Sequence, residues 1–149
     1  MNDANAMAEL FAAVAEERDG IATEPPVDID QRAAQFTRTI ADSVVAVAGG
    51  QVIGMIHLEA TKHGFGQIGM LVDRGWRGRG VGSALVRAAI ALARERGLHK
   101  LSLEVFAHNT AAIALYHSVG FVEVERFDGD VTRSDGKVWD ALLMRAALR

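Results

Sequence analysis

The residues with the clearest chemical meaning lie in the run Arg77–Gly82, which reads Arg-Gly-Arg-Gly-Val-Gly and is followed by Ser83. Glycine allows the backbone to turn sharply and to approach a ligand without a Cβ clash. An apolar helical pattern begins at Val81, so the N–H groups of the run would meet a helix N-terminus, where the helix dipole favours an anion. The run therefore indicates a pyrophosphate-binding loop, although a simple strand-to-helix turn would have similar glycines.

The spacing of apolar residues and turn signals predicts the elements that must position this loop. A helical period predicts four helices, over residues 3–18, 28–40, 81–96 and 109–118. Alternation predicts six strands, over residues 43–48, 51–60, 67–72, 100–106, 121–126 and 137–144, with a polar loop at 127–136. This order predicts one α/β domain over residues 1–149, with a right-handed parallel crossover at the glycine-rich loop.

Composition excludes several classes of function. The 149-residue chain is half hydrophobic and has a formal net charge of −3, which is atypical of nucleic-acid-binding domains. It contains no cysteine, and therefore no disulfide, thiol nucleophile or thiolate metal ligand. The five histidines share no ligand spacing, so we expect no metal. Neither a signal peptide nor a bilayer-length apolar run is evident, so we expect a cytoplasmic protein that contacts neither membrane nor nucleic acid.

A second motif runs from Asn109 to Tyr116 and is followed by Gly120-Phe121. Together with the glycine-rich run, it makes the chain resemble the GNAT superfamily of acyl-CoA N-acyltransferases. The family's loop has Arg or Gln, two residues, Gly, one residue, and Gly or Ala. Its second motif has Asn, then Ala, Leu-Tyr and Gly-Phe at this spacing. The motif-bearing core spans residues 67–121, and the order of elements extends the likeness over most of the chain.

The resemblance implies an α/β fold with a mixed, mostly antiparallel central sheet, which has helices on both faces and is splayed around the cofactor. The family usually opens with an edge strand before its first helix, whereas helix-like sequence begins here at Asp3. We therefore expect the first edge strand to be truncated or absent. The sheet edge would then be open or covered by another chain, and a homodimer is one such arrangement.

The resemblance implies that acetyl-CoA is the co-substrate, with its pyrophosphate on the N–H groups of the loop and its pantetheine arm along a strand. Both arginines of the loop would bring positive charge to the phosphates, or would instead be solvated surface residues. Asn109 would cap the last helix and also contact the cofactor. The expected cofactor-binding residues are Met70, Leu71, Val72, Arg77, Gly78, Arg79, Gly80, Val81, Gly82, Ser83, Asn109 and Tyr116.

Tyr116 is the only tyrosine of the chain, and the resemblance implies that it lies near the CoA sulfur as the general acid. Its alternative role is that of a half-buried helix residue with a satisfied hydroxyl. The acceptor amine must also lose a proton, and Glu104 is our first candidate for this step, because it matches a glutamate of the ribosomal-protein alanine N-acetyltransferase branch. A solvent-facing strand residue is the alternative for Glu104. His57 and Glu59, which alternate along a neighbouring strand, are the other candidates.

The resemblance implies transfer of the acetyl group to a primary amine by direct attack in a ternary complex, since the chain has no cysteine for a covalent intermediate. We expect a small-molecule or amino-acid-like acceptor. A peptide acceptor, either a protein N-terminus or a lysine, is one alternative, and a non-catalytic acyl-CoA sensor is another. The expected substrate-binding residues are His57, Glu59 and Glu24, the last of which lies beside Pro25-Pro26 between the first two helices.

Overall fold

The computed structural model describes residues 3–148, which contain four α-helices and six β-strands. The helices are α1 (Asp3–Glu16), α2 (Ile29–Arg38), α3 (Val81–Glu95) and α4 (Thr110–Ser118). The strands are β1 (Ser43–Ala48), β2 (Gln51–Ala60), β3 (Phe65–Val72), β4 (Lys100–Phe106), β5 (Val122–Thr132) and β6 (Val138–Ala147). Short 3₁₀ helices lie at Ile40–Asp42, Lys62–Gly64 and Arg74–Trp76. None of the helices in residues 3–148 has the length and apolar character needed to cross a membrane.

The six strands form one mixed sheet in the order β1-β2-β3-β4-β6-β5. Antiparallel pairs join β1 to β2, β4 to β6 and β5 to β6, whereas β3 pairs with β4 in parallel. The parallel register runs from Phe65 opposite Lys100 to Gln67 opposite Ser102, so β3 begins before the predicted residue 67. In residues 3–148 the first strand follows α1 and α2, and it forms one edge of the sheet. The predicted α/β fold with a mostly antiparallel sheet is confirmed.

Two side chains cap helices at the residues that the sequence predicts. Asp28 accepts a hydrogen bond from the N–H of Gln31 (3.0 Å) at the start of α2. Asn109 accepts one from the N–H of Ala112 (3.3 Å) at the start of α4. Each cap satisfies an N–H group that has no partner within its helix, and so fixes the residue at which the helix begins.

The β5–β6 hairpin has longer strands and a shorter connection than predicted. The sequence predicted a polar loop over residues 127–136, and this prediction is wrong. β5 continues to Thr132, because Val131 pairs with Trp139 and Thr132 with Val138. A shift of register between Phe127 and Val131 accommodates the glycine- and aspartate-rich residues within the strand.

Asp140 holds this register shift in place. Its carboxylate accepts a hydrogen bond from the N–H of Gly129 (2.8 Å) and forms an ion pair with Arg126 (2.8 Å). The Gly129 N–H, and then the Arg126 guanidinium, stabilise the charged carboxylate and lower the pKa of Asp140 below its usual value. The polar residues therefore structure the hairpin rather than forming a solvated loop.

Contacts between residues divide the chain into two compact units. The first contains the residues up to Leu58 together with Met70–Ala89, and the second contains Glu59–Gly69 together with the residues from Ile90 onwards. Each of β2, β3 and α3 therefore contributes residues to both units.

Each unit has its own core. In the first unit, the buried Met7, Leu10 and Val14 of α1 pack with Met55 of β2, and we call this group with its partly buried neighbours the Met55 cluster. Those neighbours are Ile21, Phe36, Val45, Val52 and Leu71. In the second unit, buried residues of β4 and β6 face one another across the sheet, in the pairs Leu101–Ala146, Leu103–Met144 and Val105–Leu142.

Candidate functional site

The glycine-rich loop connects β3 to α3 and is anchored at its start by Asp73. The N–H of Asp73 donates a hydrogen bond to the carbonyl of Ile53 in β2 (2.7 Å). Its carboxylate accepts one from the N–H of Gly75 (3.2 Å) and so begins the 3₁₀ turn Arg74–Trp76. The loop therefore leaves β3 from a point that is fixed to the neighbouring strand.

Two glycines then give the loop its shape. Gly78 has φ 73° and Gly80 has φ 87°, and both lie in the left-handed region that residues with a Cβ rarely adopt. A Cβ at either position would meet no other atom within 4 Å. Backbone conformation therefore requires these glycines, and the space beside them is open to a ligand.

The loop delivers its last residues to the N-terminus of α3. The N–H of Ala84 donates to the carbonyl of Gly80 (3.1 Å). The N–H groups of Val81, Gly82 and Ser83 come before this first turn closes, so they have no carbonyl one turn back in the helix. Such N–H groups, together with the positive end of the helix dipole, favour phosphate binding. This geometry fits the predicted pyrophosphate loop.

Arg77 is held by three protein contacts. Its guanidinium forms two hydrogen bonds with the carboxylate of Glu17, from Nη1 to Oε1 (2.6 Å) and from Nη2 to Oε2 (2.8 Å). Its Nε donates to the carbonyl of Val72 (3.0 Å). Arg77 therefore ties the chain just after α1 to the end of β3, and its charge is already matched by a carboxylate.

Arg79 has a different environment from Arg77. Its guanidinium carbon lies 4.1 Å from the centroid of the Trp76 ring, in a cation–π contact. Gly78, Arg79 and Gly80 are all exposed residues. Arg77 is paired with the carboxylate of Glu17. Within residues 3–148, Arg79 has no such carboxylate partner.

The strand segment Met70–Val72 comes directly before the loop. All three residues are half-buried and lie beyond Gln67, the last residue of β3 in register with β4. Leu71 belongs to the Met55 cluster, and the carbonyl of Val72 accepts the hydrogen bond from Arg77. The segment is therefore positioned by the first unit and takes no part in the β3–β4 ladder.

His57 lies on β2 directly opposite Ser43 of β1. Its Nδ1 is 3.3 Å from Ser43 Oγ, and the same hydroxyl is 3.3 Å from the carbonyl oxygen of Thr39. The next residues on this face of the two strands, Val45 and Met55, are also opposite one another and belong to the Met55 cluster. The half-buried His57 is therefore the next residue on this face of β2 after the apolar Met55.

Tyr116 is buried in α4, with only 7% of its surface exposed, rather than half-buried as its alternative structural role assumed. Its ring packs edge to face against Phe121, with 5.9 Å between the centroids. Burial raises the pKa of Tyr116 to about 12, because the charged phenolate would lose its solvation. The hydroxyl therefore stays protonated at physiological pH and can act as a hydrogen-bond donor.

The three candidate carboxylates have more open surroundings. Glu104 is exposed on β4 between the buried Leu103 and Val105, so it points to the other face of the strand. Glu59 is exposed near the end of β2. Glu24 is half-buried in the segment that joins α1 to α2. Among residues 3–148, no group of His, Asp and Glu side chains is arranged to hold a metal ion.

An aromatic cluster that the sequence did not indicate follows the end of β4. The ring of Trp139 lies 4.8 Å from that of Phe106 and 4.7 Å from that of His108. The guanidinium of the buried Arg133 lies 3.9 Å from the Trp139 centroid. The cluster packs around the chain just before Asn109. Phe106 of β4 and Trp139 of β6 are far apart in the chain and come together only when these strands pair, so residue spacing does not indicate the cluster.

The predicted site residues divide between the two units. The first unit contains Glu24, His57, Met70–Val72 and the loop Arg77–Ser83. The second contains Glu59, Glu104, Asn109 and Tyr116. Sequence reasoning missed the partners of these residues, namely Glu17 for Arg77, Trp76 for Arg79 and Ser43 for His57.

A family model supports the motifs independently. Residues 5–121 match the model of the Acetyltransferase (GNAT) family, and this range includes both the glycine-rich loop and the motif from Asn109 to Phe121. The chain belongs to the GNAT family. The open, mostly antiparallel sheet and the glycine-rich loop before α3 are thus features of the GNAT fold.

Individual relatives agree with this membership. The chain is 41% identical to the ribosomal protein bS18-alanine N-acetyltransferase of Escherichia coli (strain K12) over 73 residues. This matched region covers 49% of this chain and 49% of the relative. The chain spans about half the length, or less, of the curated relatives it matches.

Two solved structures match nearly the whole chain. The ribosomal-protein-alanine N-acetyltransferase of Brucella melitensis has a TM-score of 0.87 at 27% identity and covers 97% of this chain and 94% of its own. A phosphinothricin acetyltransferase of Sinorhizobium meliloti, solved with acetyl-CoA, has a TM-score of 0.84 at 19% identity and covers 99% and 84%. The second likeness shows the fold alone.

Proposed function

We propose that this GNAT protein is an acetyl-CoA-dependent N-acetyltransferase, which transfers an acetyl group to a primary amine by direct attack in a ternary complex. The observation that carries the proposal is the loop Arg77–Gly82. Two left-handed glycines with open space beside them lead into the N–H groups at the start of α3, which have no carbonyl one turn back in the helix. A pyrophosphate needs such close backbone approach and such donors.

Bound acetyl-CoA would supply a thioester, whose carbonyl carbon a neutral amine can attack. The main chain of Met70–Val72 lies beyond the β3–β4 ladder, so those of its N–H groups that do not pair with β2 suit an extended ligand and a polarised thioester oxygen. Tyr116 would donate a hydrogen bond to the sulfur as the C–S bond breaks. Its pKa of about 12 keeps the hydroxyl protonated for this role.

The acceptor must be neutral when it attacks. An alkyl ammonium with a pKa near 10 is neutral to only about one part in a thousand at pH 7. A protein group that accepts its proton therefore contributes directly to the rate. Glu104 is the proton-accepting residue that the sequence resemblance predicts, and His57 and Glu59 are the alternatives. Glu104 and Glu59 are exposed, whereas a side-chain contact holds His57.

We propose a small-molecule or amino-acid-like amine as the acceptor, as expected from the sequence. The names of relatives favour a second candidate, the N-terminal amine of a protein. Both the curated Escherichia coli relative and the Brucella melitensis structure are named as ribosomal-protein-alanine acetyltransferases. The two candidates differ in whether the acceptor needs a peptide chain beyond its first residue.

Release of free CoA thiol from acetyl-CoA, measured across an amine panel, tests the proposal. The panel should contain free amino acids, simple alkyl amines, and peptides with N-terminal alanine or with an internal lysine. Turnover with free amino acids supports the small-molecule acceptor, and turnover with the alanine peptide alone supports the protein N-terminus. Binding of acetyl-CoA without turnover on any amine contradicts the enzyme and supports a sensor.

A further inference from the structure

The hydroxyl of Ser43 makes two polar contacts but has one proton. Ser43 Oγ lies 3.3 Å from His57 Nδ1 and 3.3 Å from the carbonyl oxygen of Thr39. A carbonyl oxygen can only accept a hydrogen bond, whereas a hydroxyl can donate one and accept others. For both contacts to be hydrogen bonds, the Ser43 proton must lie in the bond to Thr39.

This assignment fixes the proton on the imidazole. If Ser43 donates to Thr39, its contact with His57 is a hydrogen bond only when His57 Nδ1 carries a proton and donates it. A neutral imidazole has one N–H, so Nε2 is then the unprotonated nitrogen with an available lone pair. Both contacts are satisfied together only in this tautomer.

The pair also lies on the face of β2 that contributes Met55 to the Met55 cluster. His57 is two residues beyond Met55 on the same face, and Ser43 is two residues from Val45 on β1. The Met55 cluster includes Leu71, from the segment expected to bind cofactor, and Ile21, from the segment expected to border the acceptor. His57 is half-buried rather than fully enclosed.

We infer that Ser43 is a positioning residue, which holds neutral His57 in the Nδ1–H tautomer so that Nε2 takes the proton of the acceptor ammonium. The inference rests on the proposed acetyltransferase function. In this step an ammonium N–H bond breaks and an Nε2–H bond forms. The neutral amine keeps the electron pair with which it attacks the thioester, and the imidazolium later returns its proton to solvent.

Nitrogen NMR of the histidine ring tests the tautomer without requiring any activity. The full chain is labelled with ¹⁵N-histidine, and the His57 signals are assigned by their loss in His57→Gln. At about pH 8.5, above the usual histidine pKa of about 6.5, wild type should show a protonated Nδ1 and an unprotonated Nε2. Ser43→Ala should show a mixture of both tautomers, and Ser43→Thr, which keeps the hydroxyl, should restore the wild-type pattern.

Single-turnover rates test the catalytic half of the inference. Ser43→Ala should lower the rate of acetyl transfer by about 10-fold, and His57→Gln should lower it by about 100-fold. Neither should change the affinity for acetyl-CoA. Ser43→Thr should keep most of the rate. Thr37→Ala is the matched control, because it removes a nearby hydroxyl that donates to the Ala33 carbonyl instead (2.9 Å).

The outcomes separate the inference from the function on which it rests. A protonated Nε2 in the neutral wild-type ring overturns the role of Ser43, whatever the activity. The expected tautomer with unchanged rates in both Ser43→Ala and His57→Gln overturns His57 as the proton acceptor. Absence of turnover on every amine removes the enzyme proposal, while the NMR result still decides whether Ser43 sets the tautomer.

Discussion

Replacing Tyr116 with phenylalanine should slow acetyl transfer by about 10- to 150-fold. Burial raises the pKa of Tyr116 to about 12, whereas a thiol has a pKa of about 8.5. Complete transfer of the phenolic proton to the thiolate is therefore uphill by roughly 5 kcal/mol. A hydrogen bond from the neutral hydroxyl to a charged acceptor contributes about 1.5–3 kcal/mol, which corresponds to the expected loss of rate.

The fold should tolerate this change, because phenylalanine keeps the ring that packs against Phe121 at 5.9 Å. The rate is measured in single turnover with saturating acetyl-CoA, so that product release does not mask the chemical step. Ser118→Ala is the matched control, since it removes another hydroxyl from α4, one that donates to the Leu115 carbonyl (2.6 Å). That control should keep the wild-type rate.

The same pKa predicts the pH dependence. A pKa raised to about 12 keeps Tyr116 protonated as the pH rises through its ordinary value of about 10. The ratio of wild-type to Tyr116→Phe rates should therefore stay constant up to about pH 10. A ratio that falls with an apparent pKa near 8–10 would contradict the burial effect. A Tyr116→Phe rate equal to wild type would return the residue to a purely structural role.

Three further predictions concern the loop and the proton acceptor. CoA at about 100 times its Kd should raise the Tm of the wild-type chain by roughly 5–10 °C. Gly80→Val should abolish this rise, because Gly80 has φ 87°, which a residue with a Cβ rarely adopts. A wild-type chain without any shift of Tm would contradict cofactor binding. Glu17→Gln and Arg77→Gln should each weaken CoA binding by about 5-fold. The double variant should weaken it by no more than either single variant, because the two groups act as one pair. A much larger loss of CoA affinity in Arg77→Gln alone would make Arg77 a phosphate ligand. Glu104→Gln should stay within about two-fold of the wild-type rate at neutral pH while His57→Gln loses about 100-fold, and the reverse order assigns the proton to Glu104.

Local sequence signals were sufficient for the turns of the glycine-rich loop and for the helix caps. The glycines at 78 and 80 adopt φ values that other residues avoid, so their spacing alone constrains the backbone. Asp28 and Asn109 bind N–H groups three residues ahead, within one helical turn. Features that depend on neighbours this close in the chain can be predicted from residue types.

Strand ends were predicted less well, because they depend on partners distant in sequence. The aspartates and glycine at residues 128–130 are typical of a loop, and they lie within β5 only because β6 pairs with the residues after them. In the same way, pairing with Lys100 extends β3 back to Phe65. Propensity describes a residue's local preference, and the sheet overrides that preference where the ladder continues on both sides.

The sequence by itself therefore determined the family and the backbone shape of the glycine-rich loop, since both depend on short-range spacing. Tertiary structure decided which side chains meet. The Gly49-Gly50 turn alone, which pairs Ala48 with Gln51, would extend to Ser43 opposite Ile56; a register shift between Ala46 and Val47 brings Ser43 opposite His57 instead. Arg77 likewise meets Glu17, 60 residues earlier in the chain. Such contacts depend on one-residue register and on long-range packing, which residue types do not encode locally.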